Sequence, residues 1–151
     1  MVTCAAGYPL DKTYYQTVKG MVGAMNILEP GGDLIVAAEC SEGIGSPEFA
    51  ESQRRLVASG PAAFLREILA KSHADIDEWQ TQMQLAPMAI GNIHLYSGGL
   101  GAADRQLTAV NCIDSMQTAV NESLTRHPDG VVAVIPEGPY VIPFHRERAN
   151  V

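Results

Sequence analysis

In the stretch "YYQTVKGMVG", residues 14 to 23, a glutamine and a lysine stand three positions apart among apolar residues and glycines. That is the spacing of neighbours on a helix surface. An ammonium at Lys19 can pair with a carboxylate, and the amide of Gln16 can orient the same group by donating a hydrogen bond. At about 100° per residue, Tyr14, Val18, Val22 and Met25 share one face, and Gln16, Lys19, Gly20 and Gly23 cluster opposite. Glycine costs about 1 kcal/mol in a helix interior, so a solvated face would favour Ala, Glu or Lys there. Two readings stay open: a solvated face with incidental glycines, or a face closely approached by a ligand or another domain.

Other residues offer weaker chemistry. "GGLGAAD", residues 98 to 104, is rich enough in glycine to cradle an anion on backbone N–H groups, but Asp104 stands where a dinucleotide fingerprint needs its third small residue. A plain strand-to-helix turn is the favoured reading of it. In "SEGIGSP", Gly43 and Gly45 permit positive φ, and Ser46 before Pro47 makes a good N-cap. Glu39, Glu42 and Glu137 could serve as acid or base groups, or simply be solvated loop acids. Trp79 falls on one face with Ile76 and Met83 at helical spacing, which predicts core packing.

Cys4, Cys40 and Cys112 are odd in number and form no CxxC pair, so reduced thiols are expected rather than a disulfide framework. His73, His94, His127 and His145 fall into no ligand spacing. No metal site is expected in this chain.

These residues need elements to position them. With 151 residues and 46% hydrophobic content, the chain can bury one sizeable core, so residues 1–151 are read as a single domain. Its net charge of -7 and scattered basic residues exclude a nucleic-acid or anionic-membrane surface, leaving small molecules or protein partners. No apolar run spans a bilayer and the start has no signal-peptide order, so a cytoplasmic location is expected.

A short β-prone run, "MVTC", opens the chain directly, as though part of a longer protein were missing. Periodicity then predicts a helix from about Lys12 to Leu28, capped by Asp11, and a strand at "LIVAAEC". Three helices follow, at "PEFAESQRRLVAS", "PAAFLREILAKS" and "DIDEWQTQMQLA". Strands are expected at "NIHLYS", "LTAV" and "VVAVI", with a helix at "DSMQTAVNESLTRH" capped by Asp114 or Ser115. "PEGPYVIPF" holds too much proline for a central strand.

Apolar strands alternating with helices predict an α/β fold, a three-layer sandwich with a mainly parallel sheet of about five strands flanked by helices. Ligands in such folds bind beyond the carboxyl ends of the strands. The segments leaving those ends, "AAGYPLD", "SEGIGSP", "GGLGAAD" and "PEGPYV", are the unusual ones, whereas the returning turns "EPGG" and "HPDG" are ordinary.

"GYPLDKTYYQTVKGM", "GGDLIVAAECSEGIGSPEF", the tryptophan of "DEWQ" and "VIPEGPYVIP", in that order, resemble the C-terminal domain of the nickel-pincer lactate racemase family. The resemblance extends over essentially the whole chain. It implies a racemase or epimerase of lactate or a related 2-hydroxy acid, an isomerase whose site lies between two domains. Hydride would pass from the carbinol carbon to a nickel-pincer pyridinium nucleotide and return to the opposite face. The metal ligand, the lysine tether of the cofactor and the histidine bases would come from an N-terminal domain absent here, so no cofactor is expected in this chain alone. The partners implied are a small 2-hydroxy acid and the chain's own N-terminal domain. Carried over onto this sequence are Gln16 and Lys19 as catalytic residues, with Trp79 and, less strongly, Tyr15 as substrate-binding ones. The alternative is a free-standing α/β module that binds a nucleotide or phosphate at "GGLGAAD" or "SEGIGSP".

Overall fold

A computed structural model describes residues 1–145. Five parallel strands form one sheet: β1 (Val2–Cys4), β2 (Asp33–Ala37), β3 (Asn92–Tyr96), β4 (Asn111–Ile113) and β5 (Val134–Ile135), in the order β4-β3-β2-β1-β5. The register aligns Thr3 with Val36 and Ile135, and Ile35 with His94. The chain steps outward from β1 to β4, then crosses to the other side of β1. The unusual loops therefore share the carboxyl edge, as the sequence predicts.

Six helices surround the sheet: α1 (Tyr14–Ala24), α2 (Pro47–Ser59), α3 (Pro61–Leu69), α4 (Glu78–Ile90), α5 (Ala102–Arg105) and α6 (Met116–Arg126). Side chains alternate across a strand. Leu34 and Val36 of β2 thus join the core that Tyr14, Val18, Met21 and Phe49 bring from α1 and α2. Asp33, on the other face of β2, accepts a hydrogen bond from Arg126 of α6 at 2.8 Å. Helices cover both faces of the central strand, which is why its sequence reads as one apolar run. Among the described residues no helix is long and apolar enough to cross a membrane.

Several boundaries differ from the sequence expectation. The first helix begins at Tyr14 because the Thr13 side chain, not Asp11, caps it by accepting from the Gln16 amide, and a 3-10 turn at Met25–Ile27 ends it. Asp11 instead accepts from the Glu39 amide at 3.2 Å. The fourth strand lies at Asn111–Ile113 rather than at "LTAV", since Ala109 has φ +56° and the Thr108 carbonyl is taken by the Tyr14 hydroxyl and the Gln84 amide. Helix α4 runs on through Pro87 to Ile90, and the last strand shrinks to Val134–Ile135. "GGLGAAD" contains one turn of helix, α5, that periodicity did not signal.

The glycines of α1 have a packing reason. A Cβ on Gly20 would meet the Cys4 carbonyl oxygen at 3.1 Å, and one on Gly23 would meet that of Gly138 at 2.5 Å. The end of β1 and the 3-10 turn Gly138–Tyr140 lie against this side of the helix. What approaches Gly20 and Gly23 is the chain itself, so neither solvent nor a ligand accounts for these two glycines.

Candidate functional site

Helix α1 leaves the carboxyl edge of the sheet with Tyr14 facing inward, its buried hydroxyl donating to the Thr108 carbonyl at 2.7 Å. The next residue, Tyr15, then points toward α2 and α4. Its ring meets Phe49 edge-on at 5.1 Å and Trp79 edge-on at 6.0 Å, centroid to centroid. One turn further along α1, the Lys19 ammonium stands 5.6 Å from the centre of the Tyr15 ring. The structure thus brings Tyr15, Lys19 and Trp79 together through one aromatic ring. Gln16 lies on the same helix one turn before Lys19, half-buried.

Lys19, half-buried, differs from most of its fellow cations, and among the described residues only the exposed Arg66 shares its lack of a carboxylate partner. Lys12, Arg54, Arg55, Lys71, Arg105 and Arg126 each meet a carboxylate. Among the described residues Lys19 meets none, leaving its charge on the face of a ring that interacts weakly with cations.

Trp79 is not in the core. It is 44% exposed, and Ile76, the supposed neighbour on its face, is 73% exposed. The physical reason is that α4 begins only at Glu78, so Ile76 lies outside the helical period. The ring stands at the surface against Tyr15.

Two further residues complete this corner: Asp77, which sequence reasoning gave no role, and Gly45, which it marked only for positive φ. Asp77, the residue before α4, accepts from the Ser46 hydroxyl at 2.6 Å and from the Tyr15 hydroxyl at 3.4 Å. Gly45 has φ +126°, and its α carbon lies so close to Tyr15 that a Cβ there would be 2.9 Å from the tyrosine Cβ. The available signals were the Ser46-Pro47 cap and an aspartate two residues before the tryptophan, but each reads locally as helix punctuation. Thr13, Tyr15, Glu42, Gly45, Ser46 and Asp77 line an open cleft of about 420 Å³. Burial, then the Asp77 charge and the hydrogen bond to it, push the Tyr15 phenol above its ordinary value.

Buried polar contacts hold α4 in place behind this corner. The Gln80 amide donates to the Tyr15 carbonyl at 2.7 Å, and that of Gln53 donates to Gln84 at 2.9 Å. Glu78, buried, accepts from Arg55 and from Lys71, each at 2.7 Å. Burial pushes its carboxyl upward, but Lys71, the Asp75 amide and Arg55 together bring it below its ordinary value.

The glycine loops serve each other rather than an anion. A Cβ on Gly99 would lie 2.5 Å from the Glu39 carbonyl oxygen, and one on Gly43 would lie 2.8 Å from the Asp104 carboxylate. Glu39 carboxylate oxygens also flank Gly98. Backbone filled by a neighbouring loop and faced by carboxylates is a poor phosphate cradle, which argues against the nucleotide-binding alternative. Of the loop acids, Glu42 pairs with Lys12, and Glu39 and Glu137 are exposed.

A second hollow, about 460 Å³, opens at the opposite edge of the sheet beside Asp33, His94, Asn111 and Arg126. Its charged groups are spent on each other: Asp33 lies 2.8 Å from Arg126 and 3.2 Å from His94, whose other nitrogen is 2.9 Å from the Asn111 amide. Burial pushes the Asp33 carboxyl upward. Hydrogen bonds from Arg126, Ser123, His94 and Asn92 outweigh it and hold the group well below the usual carboxylate range. Among the described residues no three His, Cys, Asp or Glu side chains converge to hold a metal ion.

With this geometry in view, three comparisons bear on kinship. The model of the lactate racemase C-terminal domain family matches residues 1–142. Lactate racemase from Thermoanaerobacterium thermosaccharolyticum is 33% identical over 85 residues, which cover 55% of this chain and 20% of that protein. The solved lactate racemase apoprotein from the same organism superposes with a TM-score of 0.81 at 25% identity, covering 93% of this chain and 34% of that one. The chain thus spans about a third of the solved relative's length. With a family match extending from the first strand to the segment beyond β5, the chain belongs to the lactate racemase C-terminal domain family.

Proposed function

We propose that this chain forms the substrate-closing side of a racemase or epimerase of lactate or a related 2-hydroxy acid, with its site completed by an N-terminal domain. The observation that carries the reading is Lys19. Its ammonium meets no carboxylate among the described residues and stands on Tyr15, whose ring abuts the exposed Trp79.

A substrate carboxylate is the natural partner for that charge. Its pairing with Lys19 is a charge-assisted hydrogen bond, stronger in a closed, water-poor site than on the open surface. Gln16, one turn away, orients the same carboxylate with its amide N–H. Trp79 and Tyr15 form a rigid wall that excludes water from the reacting carbon. Lys19 positions and polarises the substrate, and the hydride moves elsewhere.

The nickel-pincer nucleotide that the resemblance implies would supply, when bound, the acceptance and return of hydride. The residues of this edge fit the substrate end of such a group, offering a cation, an amide and an aromatic wall. Metal ligation, the cofactor tether and the histidine bases fall to the N-terminal domain. His94 suits none of these roles, being tied to Asp33 and Asn111 at the opposite edge of the sheet. Three cysteines free of disulfides support a cytoplasmic setting.

The test is to assay lactate racemisation by this chain alone and then by the chain joined to its N-terminal half and cofactor. Activity is expected only in the joined protein. Racemisation by the chain alone would overturn the reading.

A further inference from the structure

We infer that Asp77 is a positioning residue for this site, its carboxylate tying Tyr15 of α1 to Ser46 at the start of α2 and thereby setting where Trp79 stands. The inference rests on the racemase reading above for its catalytic consequence, but not for its geometry.

Asp77 adopts φ +61° and ψ 0°, the left-handed conformation, which an L-residue with a Cβ enters at a cost of about 1 kcal/mol. Glycine, asparagine and aspartate tolerate it best. An aspartate just before a helix commonly repays such a position by capping its own helix. Here it does not: no side-chain capping bond is made to α4. The carboxylate turns away and accepts from Ser46 at 2.6 Å and from Tyr15 at 3.4 Å.

Ser46 in turn accepts from the Phe49 amide at 3.1 Å and so caps α2. One carboxylate therefore joins the first turns of three helices. Behind it, Glu78 ties α4 to Arg55 and Lys71, and the Asp77 carboxylate is the link that runs forward from α4 to Tyr15 and Ser46. In front of it lie Tyr15, on which Lys19 rests, and Trp79, two residues along the chain. Without the carboxylate, the tyrosine hydroxyl and the start of α4 lose their common anchor, and the aromatic wall loosens.

Trp79 is the only tryptophan of the chain, so its fluorescence reports this corner directly. Asp77→Gly keeps the left-handed backbone and deletes the carboxylate. Asp77→Asn keeps the backbone and one acceptor oxygen but loses the charge, so one hydroxyl must turn from donating to a carboxylate to accepting from an amide. In the 151-residue chain, at a temperature where far-UV circular dichroism is native, Asp77→Gly is expected to shift Trp79 emission to longer wavelength and raise its quenching by acrylamide. Asp77→Asn is expected to fall between Asp77→Gly and the wild type, and it carries the test should the glycine variant not fold. Wild-type emission and quenching in the folded variants would overturn the inference, whatever the protein catalyses.

In the complete enzyme, kcat of Asp77→Gly is expected to fall about tenfold with a smaller change in KM for lactate, as when a near-attack geometry is loosened. Asp77→Asn is expected to restore part of that loss. A fluorescence change in the variant without racemisation by the wild type would count against the racemase reading while supporting the positioning geometry.

Discussion

A methyl group placed on the α carbon of Gly23 would stand 2.5 Å from the carbonyl oxygen of Gly138. The turn that follows β5 therefore lies directly on the helix that carries Gln16 and Lys19. Gly138 is as tightly held from below, its own Cβ position being 2.7 Å from the Cys4 carbonyl oxygen. The helix is clamped to β1 through a contact that only glycines allow.

Gly23→Ala decides between two opposing effects. Helix propensity alone would stabilise the protein by about 1 kcal/mol. Overpacking against a backbone oxygen costs about 1–3 kcal/mol. Net destabilisation is expected, seen as a lower urea midpoint with unchanged slope. An equal or higher midpoint would show that the turn does not rest on α1.

Asp33 governs the response to acid. Its folded pKa lies below the ordinary 3.8, so the stability it contributes is complete above about pH 4 and is lost as pH falls toward its folded value. Asp33→Asn is expected to cost about 1.5–3 kcal/mol at pH 7, because Arg126, His94 and Asn92 lose a charged acceptor and keep only one oxygen between them. The variant should then lose less further stability than the wild type between pH 5 and about pH 2. Urea midpoints measured across that range check both signs.

Tyr15 governs part of the response to alkali. Its phenol titrates above the ordinary 10.0, so its contribution is complete below about pH 10 and is lost as pH rises through the folded value. Tyr14, fully buried, behaves alike. The difference between wild type and Tyr15→Phe isolates Tyr15: the variant should lose less stability between pH 9 and about pH 11. Parallel losses in the two proteins would contradict the assigned environment.

The sheet and the loops at its carboxyl edge are legible because they follow from local rules. An apolar run between turn residues marks a strand covered on both faces, and parallel order sends the glycine-rich loops to one edge. Long-range contacts were not legible. Nothing near Thr108 reveals that Tyr14 and Gln84 will take its carbonyl and delay the fourth strand to Asn111. Ile76, one turn before Trp79 in the pattern, predicts a core position for the ring, and the start of α4 at Glu78 removes that premise. The polar pair Gln16 and Lys19 was visible in the helical pattern, but the glycines beside it answer to Cys4 and Gly138. Asp77 falls inside the helix expected at "DIDEWQTQMQLA", and its partners come from two distant elements that no local pattern reveals.

A substrate carboxylate held by Lys19 makes turnover depend on its ammonium, and kinetics of Lys19→Ala in the complete enzyme read that dependence. Lys19 makes no salt bridge among the described residues, so folding should be nearly unchanged, within about 0.5 kcal/mol. Turnover of lactate should fall by about a hundredfold or more, the scale for losing one preorganised charge contact. Wild-type turnover in a folded Lys19→Ala enzyme would remove Lys19 from the site.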